Sequence, residues 1–158
     1  MKPVKLRDLI DEMDILSDDD HKYINKVTGE IITVSSEDLN IAEESEPDED
    51  FAEYPDWQRE SILQALDVVE KFGSKYISLP EKWDIHEYRI MEDFCLSVEN
   101  QKISNTLYNA IKGRGAFQRF KDTIHRFGIQ DDWYRFYEAA LKRIAIEWCE
   151  MHGIKYQE

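Results

Sequence analysis

Glycine and proline are scarce in this chain, six and four among 158 residues, and cysteine occurs only twice. So few turn formers argue against a sandwich or barrel, whose many short strands need frequent turn residues. Cys95 and Cys149 both fall among apolar residues in helical patterns. Two such residues make no disulfide framework and read as small packing groups. No uncharged apolar run reaches membrane length, and the opening Met1-Lys2-Pro3-Val4-Lys5-Leu6-Arg7-Asp8 lacks the apolar stretch of a signal peptide. The expectation is a cytoplasmic protein with no membrane attachment.

Charge is what the chain has in quantity. Charged residues make up 34% and the formal net charge is -14, spread unevenly. Residues 1–60 hold 19 acids and six bases, whereas residues 61–158 hold 15 acids and 14 bases. An acidic front repels nucleic acid and anionic membranes at long range, which disfavours general nucleic-acid coating. From Glu43 to Glu53 there are seven acids and no base. Residues 43–56 read as an acidic loop or linker inside one domain rather than a dedicated binding tail. Neither this stretch nor Asp18–Asp20 has the ligand alternation, central Gly and final Glu of a calcium loop.

With 42% hydrophobic residues the chain can bury one sizeable core, and its periodicity is mainly helical. Leu6, Leu9, Ile10 and Met13 mark a short first helix, closed by Ser17-Asp18-Asp19-Asp20. Two β-prone runs around Gly29, Lys22–Asn25 and Ile31–Val34, predict a hairpin. Ser35 or Ser36 can cap a short helix after it. A helix from Pro55-Asp56-Trp57 to Phe72 buries Ile62, Ala65, Leu66, Val69 and Phe72, and Tyr76–Leu79 is a candidate third strand. Asp84 is expected to cap a helix with the stripe Ile85, Tyr88, Met91, Phe94, Cys95 and Val98. Further helices carry Ile103, Leu107, Ala110 and Ile111, then Phe117, Phe120, Ile124 and Phe127. The last runs from near Asp131 with Trp133, Phe136, Tyr137, Ala140, Leu141, Ile144, Ala145 and Trp148 on one face. The predicted class is mainly α (α+β): a single domain, 1–158, of five to six helices with a small N-terminal antiparallel hairpin.

Two stretches are distinctive. One is Tyr23-Ile24-Asn25-Lys26-Val27-Thr28-Gly29-Glu30-Ile31 with Val34-Ser35. The other joins Leu79-Pro80, Glu87–Phe94, Gly113–Asp122 and Trp133-Tyr134. Together they resemble the bacterial uncharacterised protein family 0158 along nearly the whole chain. The resemblance implies a bacterial, cytoplasmic, single-domain protein and carries no catalytic residue with it.

Candidate chemistry is sparse. Lys112, Arg114, Arg119, Lys121 and Arg126 surround Gly113 and Gly115, with Asp122 the one acid between them. Arginines and a glycine-rich turn before a helix suit a phosphate or nucleic-acid backbone. The competing reading is a tight turn with inward phenylalanines and solvated bases, since Gly-x-Gly without a Walker or Rossmann frame is a weak signal. Arg89, Glu92 and Asp93 read as a structural charge network on one helix. His86-Glu87 lacks the second histidine of a zinc protease helix, for position 90 is Ile. His86 and Cys95 stand about 13 Å apart along a helix, beyond hydrogen-bond reach. Trp57, Trp83, Trp133 and Trp148, with the eight tyrosines, read as core before base-stacking platform, with Trp83 the exception. No catalytic set, metal or cofactor is expected. The leading expectation is an intracellular regulatory module with a protein partner; the alternative is phosphate or nucleic-acid binding through 112–126. Oligomeric state is left open.

Overall fold

The structure, a computed structural model, describes residues 2–15 and 19–158, with Trp83 described by its backbone alone. Ser17 and Asp18 of the expected turn, and the side chain of Trp83, therefore lie outside the described residues. The chain forms two compact units, residues 1–81 with 147–158, and residues 82–146. Each is described by itself.

The first unit opens with β1 (Val4–Lys5) and α1 (Leu6–Asp14), whose Leu6, Leu9, Ile10 and Met13 are all buried. The hairpin forms from β2 (Asp20–Asn25) and β3 (Ile31–Ser35), with Tyr23 opposite Ile32 and Ile24 opposite Ile31. Its loop follows from Asn25, whose side-chain oxygen accepts from the N–H of Val27 at 2.9 Å and of Thr28 at 3.3 Å. Gly29 then takes φ +80°, a conformation that glycine adopts without a Cβ penalty. Lys22 reaches back from β2 to the end of α1 and donates to the Glu12 carbonyl and carboxylate, at 2.9 and 2.7 Å.

Ser35 caps α2 (Ser36–Glu44) by accepting from the N–H of Asp38. After the acidic loop comes α3 (Asp56–Glu70), followed by β4 (Tyr76–Ser78). The candidate strand is real: β4 pairs antiparallel with β2, giving the order β3-β2-β4. Tyr23, Val34, Leu39, Ala42, Ala65, Val68 and Tyr76 form one buried cluster between this sheet and α2 and α3. A lone hairpin is marginal in water, and this burial is what holds it. Phe72, expected inside, is exposed and meets Tyr23 edge-on at 6.2 Å, because α3 has already ended. One pairing has no sequence signal: β1 lies parallel to β5 (Tyr156–Gln157), Val4 opposite Tyr156.

The acidic stretch is a folded loop. Phe51 is buried although its φ is +56°, and Asp48 is also left-handed at +67°. A non-glycine residue in that region costs about 1–2 kcal/mol, which burial of a phenylalanine ring, about 1.5–3 kcal/mol, offsets. Arg59 donates from Nε to the Asp50 carbonyl at 2.8 Å and ties the loop to α3.

The second unit begins with a single turn, α4 (Lys82–Ile85), then α5 (Glu87–Ser97). One helix capped by Asp84 was expected here, but His86 adopts φ +53° and breaks the hydrogen-bond run, so that α5 starts after it. Next come α6 (Gln101–Ala110), capped by the Asn100 side chain, α7 (Ala116–Arg126), and α8 (Gln130–His152), whose last residues belong to the first unit. Within 82–146 the core is aromatic. Trp133 lies 4.7 Å from Phe120, 5.4 Å from Phe94 and 5.2 Å from Tyr137, with the first two contacts edge-on. The described residues thus hold seven helices of nine or more residues, one above the expected range, and a three-stranded antiparallel sheet. The class is mainly α, α+β. No helix among the described residues is long and apolar enough to cross a membrane.

Candidate functional site

The connection between α6 and α7, residues 111–115, carries two of the five sequence-predicted bases, Lys112 and Arg114, and α7 carries the other three. Chain reversal there needs two left-handed residues, supplied by Gly113 at φ +78° and Gly115 at +74°. The carbonyls at the end of α6 and in the turn point away from any intrahelical donor and need partners. Arg119 provides them. Its Nε donates to the Ala110 carbonyl at 2.7 Å, while Nη1 and Nη2 donate to the carbonyls of Arg114 and Lys112. Tyr88 of α5 adds a fourth clamp, its hydroxyl donating to the Ile111 carbonyl at 2.8 Å. The φ of Gly115 strains any residue with a Cβ, and that Cβ would also lie 3.0 Å from Arg119 Nη1, which would have to shift.

This geometry sorts the five bases. Arg119 is occupied by backbone carbonyls and holds the turn in shape. Lys112 and Arg114 lie on the turn itself and are exposed, and Lys121 is exposed one helical turn after Phe117. Arg126 sits at the far end of α7, about 15 Å along the axis from its start, with its guanidinium 4.8 Å from the Phe127 ring centre. Two of the five bases thus lie on the turn and are exposed, Arg119 clamps it, and Lys121 and Arg126 stand further along α7.

Three aromatic side chains on α5, α6 and α7 are partly exposed, and for Tyr88 and Phe117 the helical stripes predicted burial. Phe117 is 44% exposed, Tyr88 42% and Tyr108 37%. The inward face of α7 is Ala116, Phe120, Thr123 and Ile124, which leaves Phe117 beside it rather than on it. Tyr108 lies under Lys112, whose ammonium stands 5.2 Å from the ring centre. The bases around Gly113 and Gly115 are the sequence signal that pointed to this turn; the Tyr108–Lys112 pair, four residues apart at a helix end, was missed.

Arg89, Glu92 and Asp93 do share one surface. With His86, Tyr88 and Leu96 they line a cleft of about 530 Å³ along α5. No ion pair joins these three among the described residues, so they are neighbours along a helix without being a closed network. Cys95 is buried, as is Cys149, and burial pushes both thiols up to about 11, far from a reactive thiolate. Among the described residues no three His, Cys, Asp or Glu converge as metal ligands. Of the tryptophans, Trp133 and Trp148 are buried, and Trp148 donates from Nε1 to the Ser78 carbonyl at 3.1 Å. Trp57 is the outlier, 71% exposed at the start of α3.

Residues 1–157 of the chain, the Asn25–Ile31 loop and the Gly113–Asp122 turn among them, match the model of the uncharacterised protein family UPF0158. The chain belongs to that family. It is similar to the UPF0158 protein PA5073 of Pseudomonas aeruginosa, 25% identical over 141 residues, which cover 86% of this chain and 74% of that protein. No solved structure matches it.

Proposed function

We propose that this protein is an interaction module whose acidic unit docks on a basic protein partner. The partition of charge carries this reading. Residues 1–81 with 147–158 hold 25 acids and nine bases, whereas 82–146 hold nine acids and eleven bases. The negative field is therefore concentrated on one unit, where it steers a basic surface and selects against acidic ones. Trp57 stands exposed among Glu53, Asp56 and Glu60, and a large aromatic ring beside carboxylates suits a lysine or arginine side chain. Trp57, Asp56 and Glu60 stand on the first turns of α3, so the helix backbone fixes their spacing before any partner binds.

The test is cross-linked capture from native bacterial extract with wild type and with Glu53→Lys/Trp57→Ala/Glu60→Lys. A basic protein retained by wild type, released by moderate salt and absent from the variant is the expected outcome. The same protein on both baits, or none on either, ends the reading.

A second reading rests on a separate observation. In the unit that carries a slight excess of bases, Lys112 and Arg114 are exposed on a turn whose carbonyls Arg119 and Tyr88 take up. That arrangement suits an anionic ligand carrying phosphate groups.

A further inference from the structure

We propose that the open edge of β3 receives an extended, basic segment of a partner protein as a fourth strand. The edge involves none of the residues of the Trp57 surface and shares with it only the acidic unit. Register fixes which backbone groups face that edge. The N–H of Asn25 donates to the Glu30 carbonyl and that of Ser36 to the Asp19 carbonyl, so odd-numbered residues of β2 bond even-numbered residues of β3. Alternation then turns the N–H and C=O of Ile31 and Thr33, and the N–H of Ser35, away from β2. Among the described residues no strand pairs with that side and no hydrogen bond takes up these groups. The opposite edge of the sheet is closed. On β4 the Tyr76 N–H donates to the Lys71 carbonyl at 3.3 Å and the Tyr76 carbonyl accepts from the Gly73 N–H at 2.8 Å. The Ser78 carbonyl accepts from Trp148 Nε1. One edge is sealed and the other is left open.

Edge strands are ordinarily blunted by a charge, a proline or a bulge, because unpaired backbone groups template pairing. β3 reads Ile31-Ile32-Thr33-Val34-Ser35 and has neither charge nor proline. The surroundings of the edge define what it takes. Ile31 lies opposite Ile24 and Thr33 opposite Lys22, whose ammonium reaches Glu12, so these side chains share the α1 face of the sheet. Side chains of an added strand that stand opposite Ile31 and Thr33 point to that same face. There Ile31 joins Asp8, Asp11, Glu12 and Glu30 around a cleft of about 470 Å³, with Lys5 the one base among its described lining residues. Asp11 is met by Arg7 at 3.4 Å and Glu12 by Lys22 at 2.7 Å. Asp8 and Glu30 are exposed and make no ion pair among the described residues. Lysine or arginine at alternate positions of the incoming segment meets these carboxylates. A second copy of this chain would bring the same acids to the same edge, and like charges across a ladder oppose pairing. Main-chain bonds then supply affinity, and the alternate side chains select the partner.

The experiment is fluorescence anisotropy of the full chain with a labelled ten-residue peptide that alternates lysine and valine, and with its glutamate–valine counterpart. Two further lysine peptides carry backbone N-methylation at every lysine or at every valine. Variants are Thr33→Pro, Asp8→Asn/Glu30→Gln and Glu53→Lys/Trp57→Ala/Glu60→Lys. Proline at position 33 removes an outward N–H and leaves the β2 ladder its bonds, as an edge strand allows. Circular dichroism and thermal melting establish folding; if Thr33→Pro does not fold, the methylated peptides on wild type decide the matter. The expected result is binding of the lysine peptide and not of the glutamate peptide at low salt. Thr33→Pro, Asp8→Asn/Glu30→Gln and one methylation phase should each weaken it at least roughly five-fold, whereas the other phase binds as before. Equal binding of both methylated peptides overturns the added strand. Loss confined to the Glu53/Trp57/Glu60 variant assigns the peptide to that surface, overturning the added strand and leaving the interaction-module reading intact. No binding by wild type also overturns the added strand, while capture from extract tests the Trp57 surface separately. A wild-type dimer in sedimentation that Thr33→Pro dissociates gives the edge to a second copy and overturns the basic partner.

Discussion

Each unit is stitched together around one charged side chain that gathers three partners, and the two hubs have opposite sign. In the acidic unit, Asp67 of α3 accepts from Lys71 Nζ at 2.7 Å, Lys75 Nζ at 2.9 Å and the Tyr76 hydroxyl at 2.5 Å, fastening the helix to β4. In the other unit, Arg119 donates to three backbone carbonyls and fastens α7 to the end of α6. The hydrogen bonds from Lys71 and then Tyr76 hold the Asp67 carboxyl well below the usual carboxylate range. An arginine, by contrast, stays charged at every pH a protein survives. The comparison teaches that only the acidic unit's hub can be switched off by protons.

The largest expected effect tests whether the acidic loop belongs to its unit. Phe51→Ala removes a buried ring but keeps the Cβ that carries the left-handed strain, so the loss is about 3–5 kcal/mol. Urea unfolding measures it, and a variant as stable as wild type would make the loop an appendage. Arg119→Ala strips donors from three carbonyls at a solvent-accessible turn, a loss of about 2 kcal/mol. Hydrogen exchange should quicken in residues 101–126, and Arg119→Lys should not restore protection because one ammonium lacks the forked geometry. Equal exchange in all three proteins would remove Arg119 as the clamp.

Asp67→Asn is the smallest of the three, about 1 kcal/mol for a charge-assisted cluster partly open to water. Its sign is fixed by the depressed carboxyl. The contribution is fully present above the ordinary carboxylate pKa, near ~4, and is lost as pH falls through the lower folded value. Wild type and Asp67→Asn should therefore differ in stability at neutral pH and converge on acidification. A difference that persists unchanged to the lowest accessible pH would contradict the assignment.

How much of this was legible beforehand depended on length and periodicity. The stripe of α8 repeats often enough to be unmistakable, and the β2–β3 hairpin announces itself through β-prone runs around Gly29. The strands β1 and β5 are two residues each, too short for any alternation to register. The break at His86 was hidden because a left-handed histidine looks like any other residue in a helical stripe. At the candidate site, bases and glycines could be read from the sequence, but their division of labour could not. Arg119 belongs to the turn rather than to a ligand only because α7 folds back until its guanidinium faces the carbonyls of residues 110–114. Phe117 and Tyr88 were placed inward because a helical stripe gives an angle and says nothing about how wide the covered face is.

The parallel pairing of Val4 with Tyr156 has a consequence for the birth of the molecule. Residues 82–146 are contiguous, so their contacts can close while the chain is still being made. The first unit cannot close its edge until Tyr156 emerges, by which time residues 1–81 have waited through all of 82–146. At roughly 5–20 residues per second, that wait lasts several seconds. During synthesis the middle of this protein is finished before its beginning.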